Sequence, residues 1–355
     1  MTSSGNDAHP TINDVAERAG VSRATASRAL ADYGVVNSET RARVLEAASE
    51  LGYVANVVAR SMRAGSTKTI GLIITQVGLS VFDLAVRVVI DIAHTRGYQV
   101  LVANTNEDLV AERDAVRVML EKQVDGLILV PSAVEDLRFL EPSALKSKPI
   151  ILLDRSLPSP GMPSVTGDNR QGSRDAVAHL LEHGHERIGL IVSTANIRGV
   201  TSDRPPGLVS TLDDRVEGYL EELRSAGIEP RAEWTRYAGD SDALAADAAR
   251  EVLTTTDRPS ALIASNANVA LAILRVAQEL DLGVGPDISV IGFDDSPWAP
   301  VLTPGLTVVD LPIEDMARAA LESLIEQITA RTPGRTAVFP MRLIPRASVA
   351  RPATA

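Results

Sequence analysis

Two periodicities divide the chain. From Thr11 to Tyr53 apolar positions recur every three or four residues; beyond Gly65-Ser66-Thr67 short unbroken apolar runs alternate with amphipathic stretches. The apolar runs predict strands at Thr69–Thr75, Gln99–Ala103, Gly126–Pro131, Pro149–Leu153, Arg187–Val192, Trp234–Tyr237, Ala261–Ala264 and Ser289–Phe293. Between them helices are expected near Phe82–Arg96, Ala111–Glu121, Gln171–His183, Asp214–Ala226, Asp242–Leu253 and Val269–Leu280. Strands without a polar face, alternating with helices, indicate parallel sheets covered on both sides, hence an α/β body. Its length suits two lobes, and open parallel sheets bind ligands at the carboxyl ends of their strands.

The N-terminal pattern predicts an all-α head. Thr11 and Asp14 have the spacing of a capping box. Gly20 gives the backbone freedom to leave a first helix, and Ser22 is a good N-cap for a second. Val15, Ala19, Val21, Ala26 and Leu30 form the expected small core. A third helix fits Ser38 to Leu51, capped by Asn37, with Val44, Leu45, Ala48 and Leu51 inward. Two short helices about a tight turn make a helix-turn-helix, whose second helix enters a DNA major groove. Small residues at Ala24, Thr25, Ala26 and Ser27 permit close approach, and the planar forks of Arg23 and Arg28 match guanine O6 and N7. A surface helical hairpin with solvated arginines would show the same pattern.

Composition and charge sharpen this division. The 355 residues exceed one small core and include no cysteine, which removes disulfide and thiolate chemistry. No apolar run reaches membrane-spanning length and no secretory leader is expected, so the reading is cytoplasmic, without a membrane partner. Net charge is −11, unevenly spread: residues 1–68 hold eight basic and seven acidic side chains, and the remainder 27 and 39, or −12. An acidic body repels DNA and leaves contact to the head.

The motifs carry a resemblance. T-I-N-D-V-A-E-R-A-G-V-S-x-x-T-x-S-R at Thr11 to Arg28, V-x-x-x-T-R-x-x-V-x-x-A-x-x-x-L-G-Y at Val36 to Tyr53 and A-R-S-M-R at Ala59 to Arg63 resemble the head and hinge helix of the LacI/GalR family of bacterial transcription regulators. L-D-R at Leu153 to Arg155, D-N-x-x-G at Asp168 to Gly172, H-L-x-x-x-G-H-x-R-I-G at His179 to Gly189 and S-V-I-G-F-D-D at Ser289 to Asp295 continue it nearly to Ser348. The chain departs from the family where Ala55 replaces a usual Pro, Met62 a usual Leu, and Ala31 a frequent Asn.

The resemblance implies a tail at 1–10, a DNA-binding head at 11–56, a hinge helix and linker at 57–66, a two-lobed periplasmic-binding-protein-like body at 67–348 and a tail at 349–355. Lobe 1 takes about 69–165 and 301–328, lobe 2 about 166–298 and 331–348. It implies DNA contacts from Thr11, Ser22, Arg23, Ala24, Thr25, Ser27 and Arg28 in the head, and from Asn56, Ala59 and Met62 at the hinge. Met62 would wedge into the minor groove at the operator centre. The segment 57–64, two turns long, is too short to hold a helix alone. The family's tetramers carry a leucine-heptad tail; this chain shows none, so a homodimer on a near-palindromic operator is expected.

Arg215, Asn266 and Asp294 each fall at a strand end or helix start, and by resemblance they hydrogen-bond an effector, a sugar being the first expectation. A donor guanidinium, an amide and an acceptor carboxylate suit vicinal hydroxyls. A salt bridge between Arg215 and Asp294 is the competing reading. Asp154, Phe82 and Asp83 are secondary candidates, and Phe82 and Trp298 could stack on a sugar ring. Thr194–Leu212, longer than the family's usual connection, reads as a surface loop or a lid.

No catalytic, metal or cofactor site is expected. Asp294 and Asp295 point to opposite sides of a strand end and cannot flank one bond. His179 and His183 have a zinc-compatible spacing but no third ligand in pattern. Three alternatives stay open: a nucleobase or phosphorylated-sugar corepressor on the same architecture, a sugar-binding protein that does not read DNA, and a sugar-acting enzyme, which these absences disfavour.

Overall fold

The structure is a computed structural model that describes residues 10–30, 35–53, 66–132, 134–158, 162–195 and 197–352. It divides into two units, one ending at Lys68 and one beginning at Thr69.

In the first unit three helices, α1 (Ile12–Arg18), α2 (Arg23–Leu30) and α3 (Ser38–Glu50), surround a core of Val15, Ala16, Ala26, Ala29, Val44, Ala47 and Ala48. The Asp14 carboxylate accepts from the Thr11 backbone N–H at 2.7 Å and from its hydroxyl at 2.8 Å, fixing the start of α1. Gly20 turns the chain with φ +64°, a value that favours glycine. Ser22 Oγ then accepts from the Thr25 N–H at 3.1 Å, and Asn37 Oδ1 from the Thr40 N–H at 2.7 Å. Leu45 departs from expectation: it is 51% exposed, because the buried face of α3 runs through Val44, Ala47 and Ala48 and position 45 lies a quarter turn away.

The second unit holds two sheets. One has the order β12-β5-β4-β3-β1-β2: Ala337–Phe339, Ser164–Gly167, Ile150–Asp154, Gly126–Leu129, Thr69–Ile74 and Gln99–Asn104. All its pairings are parallel. The other has the order β13-β11-β10-β9-β6-β8-β7: Arg342–Ile344, Thr307–Asp310, Ser289–Phe293, Ala261–Ala264, Ile188–Thr194, Thr235–Gly239 and Val200–Thr201. Its two edge strands, β13 and β7, run antiparallel to their neighbours. The central strands β1, β3, β4, β6, β9 and β10 are buried almost throughout, which explains their unbroken apolar sequences.

Helices cover both faces of each sheet. α4 (Ser80–Thr95) and α10 (Ile313–Ala330) pack together on one side of the first sheet, and α5 (Leu109–Glu121) lies on the other. On the second sheet α6 (Asn169–Glu182) and α7 (Ser210–Ser225) form one layer, α8 (Asp242–Leu253) and α9 (Ala267–Glu279) the other.

The lobe boundaries need correction. β11 belongs to the second sheet and Leu306 and Val308 to the second lobe's core, so the chain returns to the first lobe after Asp310, not near 301. β12 lies on the edge of the first sheet, within the stretch 331–348 expected in lobe 2. Strand end, Leu311-Pro312 and helix start together make that crossing.

The α6–α7 contact is unusually close at Gly218, where a Cβ would sit 2.2 Å from the Arg170 carbonyl oxygen and 2.9 Å from Ser173 Cβ. Neither obstacle is a flexible side-chain end, so the helices themselves must separate. Gly218→Ala is expected to cost about 1–3 kcal/mol, read from the urea midpoint. An unchanged midpoint would show that this contact relaxes freely.

Candidate functional site

A cleft open to solvent is lined by residues of both lobes. The first lobe contributes Phe82 from α4, Glu107 and Ser132 from loops, and Asp154-Arg155 from the end of β4; the second contributes Arg215 from α7, Asp240, Asn266 and Asp294. The lobes touch beside it, where the Ser156 N–H donates to Ser210 Oγ at 2.9 Å and Ser80 Oγ to Ser296 Oγ at 3.4 Å.

Asp154 and Asp294 occupy matching places. Each sits at or just beyond the end of a central parallel strand in the left-handed region, with φ +67° and +70°. Holding a non-glycine residue there costs energy and is a recurrent feature of binding sites. Neither carboxylate accepts a hydrogen bond among the described residues; the Asp154 carboxylate has only a 3.7 Å contact with Arg155 Nε. Two acceptors are thus presented to the cleft from opposite lobes.

Arg215 is buried on the second turn of α7, which begins at Ser210 rather than at Arg215. Its Nε donates to Asn169 Oδ1 at 2.8 Å, Nη1 donates to the Ser265 carbonyl, and the guanidinium lies 4.0 Å from the Phe293 ring centre. No carboxylate oxygen among the described residues comes within 4.0 Å of it, so the competing reading, an Arg215–Asp294 salt bridge, gives way to longer-range attraction. Asn266 caps α9 with its Oδ1 accepting from the Val269 N–H at 2.9 Å, leaving its amide N–H groups for a ligand.

Burial sets the electrostatics. It pushes the Asp294 carboxyl up to about 6, against the pull of Arg215 and reinforced by the neighbouring Asp154 charge. It likewise raises Asp154, with Arg155 and Arg215 opposing. Burial lowers Arg215, with Asp294 and Asp154 acting to keep its proton. Burial would lower Arg155 too, but Glu107, with help from Asp154 and Glu112, turns the net shift upward. Asp240 is raised by burial and by the nearby Glu107 charge.

Of the expected ligand residues, the structure brings Phe82, Asp154, Arg215, Asn266 and Asp294 to one cleft. Trp298 is not among its lining residues; it packs against the second lobe's core. Asp83 is exposed and accepts from the Gly78 N–H at 3.1 Å. Asp295 turns away to a two-pronged pair with Arg346 at 2.8 and 2.7 Å, the left-handed backbone at Asp294 having ended the strand. The stretch 194–212 is tied down: β7 pairs with β8, Arg204 pairs with Asp213 and Glu217, and Val209, Thr211 and Leu212 line the cleft. The His179 and His183 ring centres lie 4.4 Å apart, tilted by 54°, and no group of three or more metal-ligating side chains occurs among the described residues.

Glu107, Arg155 and Asp240 are lining residues that sequence reasoning did not select. Arg155 stands inside the quoted L-D-R motif; Glu107 and Asp240 occupy loops with no periodicity to mark them.

In the head, Thr11, Ser22, Arg23 and Ala24 are exposed and Thr25, Ser27 and Arg28 partly so. Arg28 Nε donates weakly to the Ala24 carbonyl at 3.3 Å, so its guanidinium lies along the outer face of α2. Asn56, Ala59 and Met62 lie outside the described residues. Among those described, no helix is long and apolar enough to cross a membrane.

Known proteins match both units. Residues 11–56 match the bacterial regulatory proteins of the lacI family, and residues 177–349 the periplasmic binding protein-like domain. The chain is 32% identical over 342 residues to the HTH-type transcriptional repressor PurR of Photobacterium profundum, covering 96% of this chain and 98% of that one. It is 35% identical over 321 residues to the ribose operon repressor of Halalkalibacterium halodurans, covering 90% of each. The structure of the lac repressor dimer bound to operator and the anti-inducer ONPF is similar, with a TM-score of 0.83 and 25% identity over 97% of this chain and 100% of that one. With a helix-turn-helix unit matching the family's head and a two-sheet unit matching its body, the chain belongs to the LacI family of bacterial regulatory proteins and is a DNA-binding transcriptional regulator.

Proposed function

We propose that the protein is a cytoplasmic repressor that binds a near-palindromic operator as a homodimer and is controlled by a neutral sugar held between the lobes. The observation that carries the sugar reading is the pair of carboxylates, Asp154 and Asp294, that accept no hydrogen bond among the described residues, in one cleft with the Asn266 amide and Arg215. Vicinal hydroxyls donate to such carboxylates and accept from the amide and guanidinium. The described lining has one aromatic ring, Phe82, which offers a nucleobase no stacking pair. In the head, Arg28 and Arg23 are proposed to read bases, with Thr11, Ser22, Thr25 and Ser27 on phosphates and Ala24 allowing close approach. Asn56, Ala59 and Met62 are proposed to engage the operator centre, on the strength of the sequence resemblance alone.

The test combines an operator gel shift with thermal-shift screening of a panel of neutral sugars, nucleosides and nucleobases. A sugar at a hundred times its dissociation constant should stabilise the body by roughly 2.7 kcal/mol and change operator affinity. Stabilisation by a nucleobase and by no sugar would transfer the site to the other effector class. A protein that bound no DNA fragment from its own regulatory region would remove the reading as a repressor.

A further inference from the structure

Six charged side chains line the cleft: four carboxylates, Glu107, Asp154, Asp240 and Asp294, against two guanidiniums, Arg155 and Arg215. In the first lobe, the Arg155 guanidinium is already occupied. Arg155 Nη2 donates to Glu107 Oε1 at 2.7 Å, and Nη1 to Glu107 Oε2 and the Pro131 carbonyl, both at 2.7 Å. Both side chains of this pair are nearly out of solvent, 10% and 12% exposed, and Arg155 Nε is buried without a hydrogen-bond acceptor. Glu107 is held in place by its own backbone, in the left-handed region at φ +57° with its N–H donating to the Thr75 carbonyl at 3.2 Å.

Without Glu107, the first lobe would offer a charged fork beside Asp154 at the end of β4, the geometry that binds phosphate or carboxylate groups. With Glu107 that fork is filled, and the first lobe's remaining charged side chain on the cleft is an acceptor, Asp154. We infer that Glu107 is a specificity-determining residue: by occupying the Arg155 fork it excludes phosphorylated and other anionic effectors and reserves the cleft for neutral polyhydroxyl ligands. The inference rests on the cleft being the effector site.

The probe is inorganic phosphate, applied to the full chain. Phosphate should leave the melting temperature of the unmodified protein unchanged. In Glu107→Gln the fork loses its counter-charge, and phosphate affinity should rise by about tenfold or more, seen as a phosphate-dependent increase in melting temperature and by calorimetry. Adding Arg155→Met to that variant should remove the gain, which places the phosphate at the fork. Should Glu107→Gln not fold, Glu107→Asp withdraws the carboxylate by one methylene, breaks the two-pronged contact and should show a smaller gain. A folded Glu107→Gln or Glu107→Asp with no gain, a gain that survives Arg155→Met, or equal phosphate binding by the unmodified protein would each overturn the inference. The neutral-sugar panel is a separate readout: if it fails while Glu107→Gln gains phosphate, the sugar reading falls and the role of Glu107 stands.

Discussion

Asp294→Asn is expected to make the free protein more stable above pH 6 while abolishing its response to effector. Burial lifts this carboxyl from its ordinary 3.8 to about 6 in the folded protein. Between those values the folded chain holds a proton that the unfolded chain has released. Stability therefore falls as pH rises through this window, and the loss is complete once Asp294 is ionised in both states. At about 1.4 kcal/mol per pKa unit, and allowing for water in the cleft, the ionised side chain costs roughly 2 kcal/mol at neutral pH. Asparagine keeps the shape and removes the charge. Urea unfolding of both proteins should show curves that separate above pH 6 and converge below the ordinary carboxylate range. A gap independent of pH would mean that Asn acts through packing instead of charge.

The same carboxylate should make effector binding depend on pH. Hydroxyl donors favour the ionised form, so binding releases a proton and affinity should rise as pH increases through about 6. Asp294→Asn replaces charge-assisted hydrogen bonds, worth about 1.5–3 kcal/mol, with neutral ones and flattens this dependence. Operator binding by the variant should persist, because the reading residues lie in a separate helical unit. Loss of operator affinity in a folded Asp294→Asn protein would refute this separation of sensing from reading.

What was legible in the sequence follows from how each feature is encoded. Strands buried on both faces leave unbroken apolar runs, so β1, β3, β4, β6, β9 and β10 stand out from Ile70-Gly-Leu-Ile-Ile to Ser289-Val-Ile-Gly-Phe. The short strands at lobe crossings and edges do not: β5, β12 and β13 have four residues or fewer and are partly exposed or polar. Their pairing comes from partners distant in sequence, as Ala337 with Val165 shows. α10 is a helix beyond those expected from the apolar pattern, although Ile313, Met316, Ala317, Ala320, Leu321 and Leu324 carry a clear helical period. In the cleft, Asp154 and Asp294 are legible because each sits in a recognisable motif at a strand end; Arg215, on the second turn of α7, rests on the family resemblance alone. The Glu107–Arg155 pair was not, since it joins loops 48 residues apart and nothing local records that meeting. Trp298 misled for the opposite reason: an aromatic beside a cleft motif is equally suited to the core beneath it.

Arg28→Ala is expected to weaken operator binding by about 1–3 kcal/mol and to relax the requirement for one guanine in each half-site. Arg28 lies on the outer face of α2, its position fixed by a well-formed helical core: Ala26 and Ala29 are buried against Val15 and Val44, and Ser22 caps the helix. The bond from Nε to the Ala24 carbonyl is long, at 3.3 Å, and exposed, so reaching a base edge costs little. Two guanidinium donors facing guanine O6 and N7 discriminate among bases, whereas a contact to phosphate holds any sequence alike. The body's acidity makes the distinction easy to observe: with 39 acidic against 27 basic residues beyond Lys68, it adds little attraction for random DNA, so affinity for the operator depends on the head. Binding titrations of the variant against the operator and against operators changed at single positions should therefore show a loss concentrated on the intact site, with discrimination erased at one guanine. An equal loss for every sequence, with a shallower salt dependence, would reassign Arg28 to the phosphate backbone and leave Arg23 as the base-reading side chain.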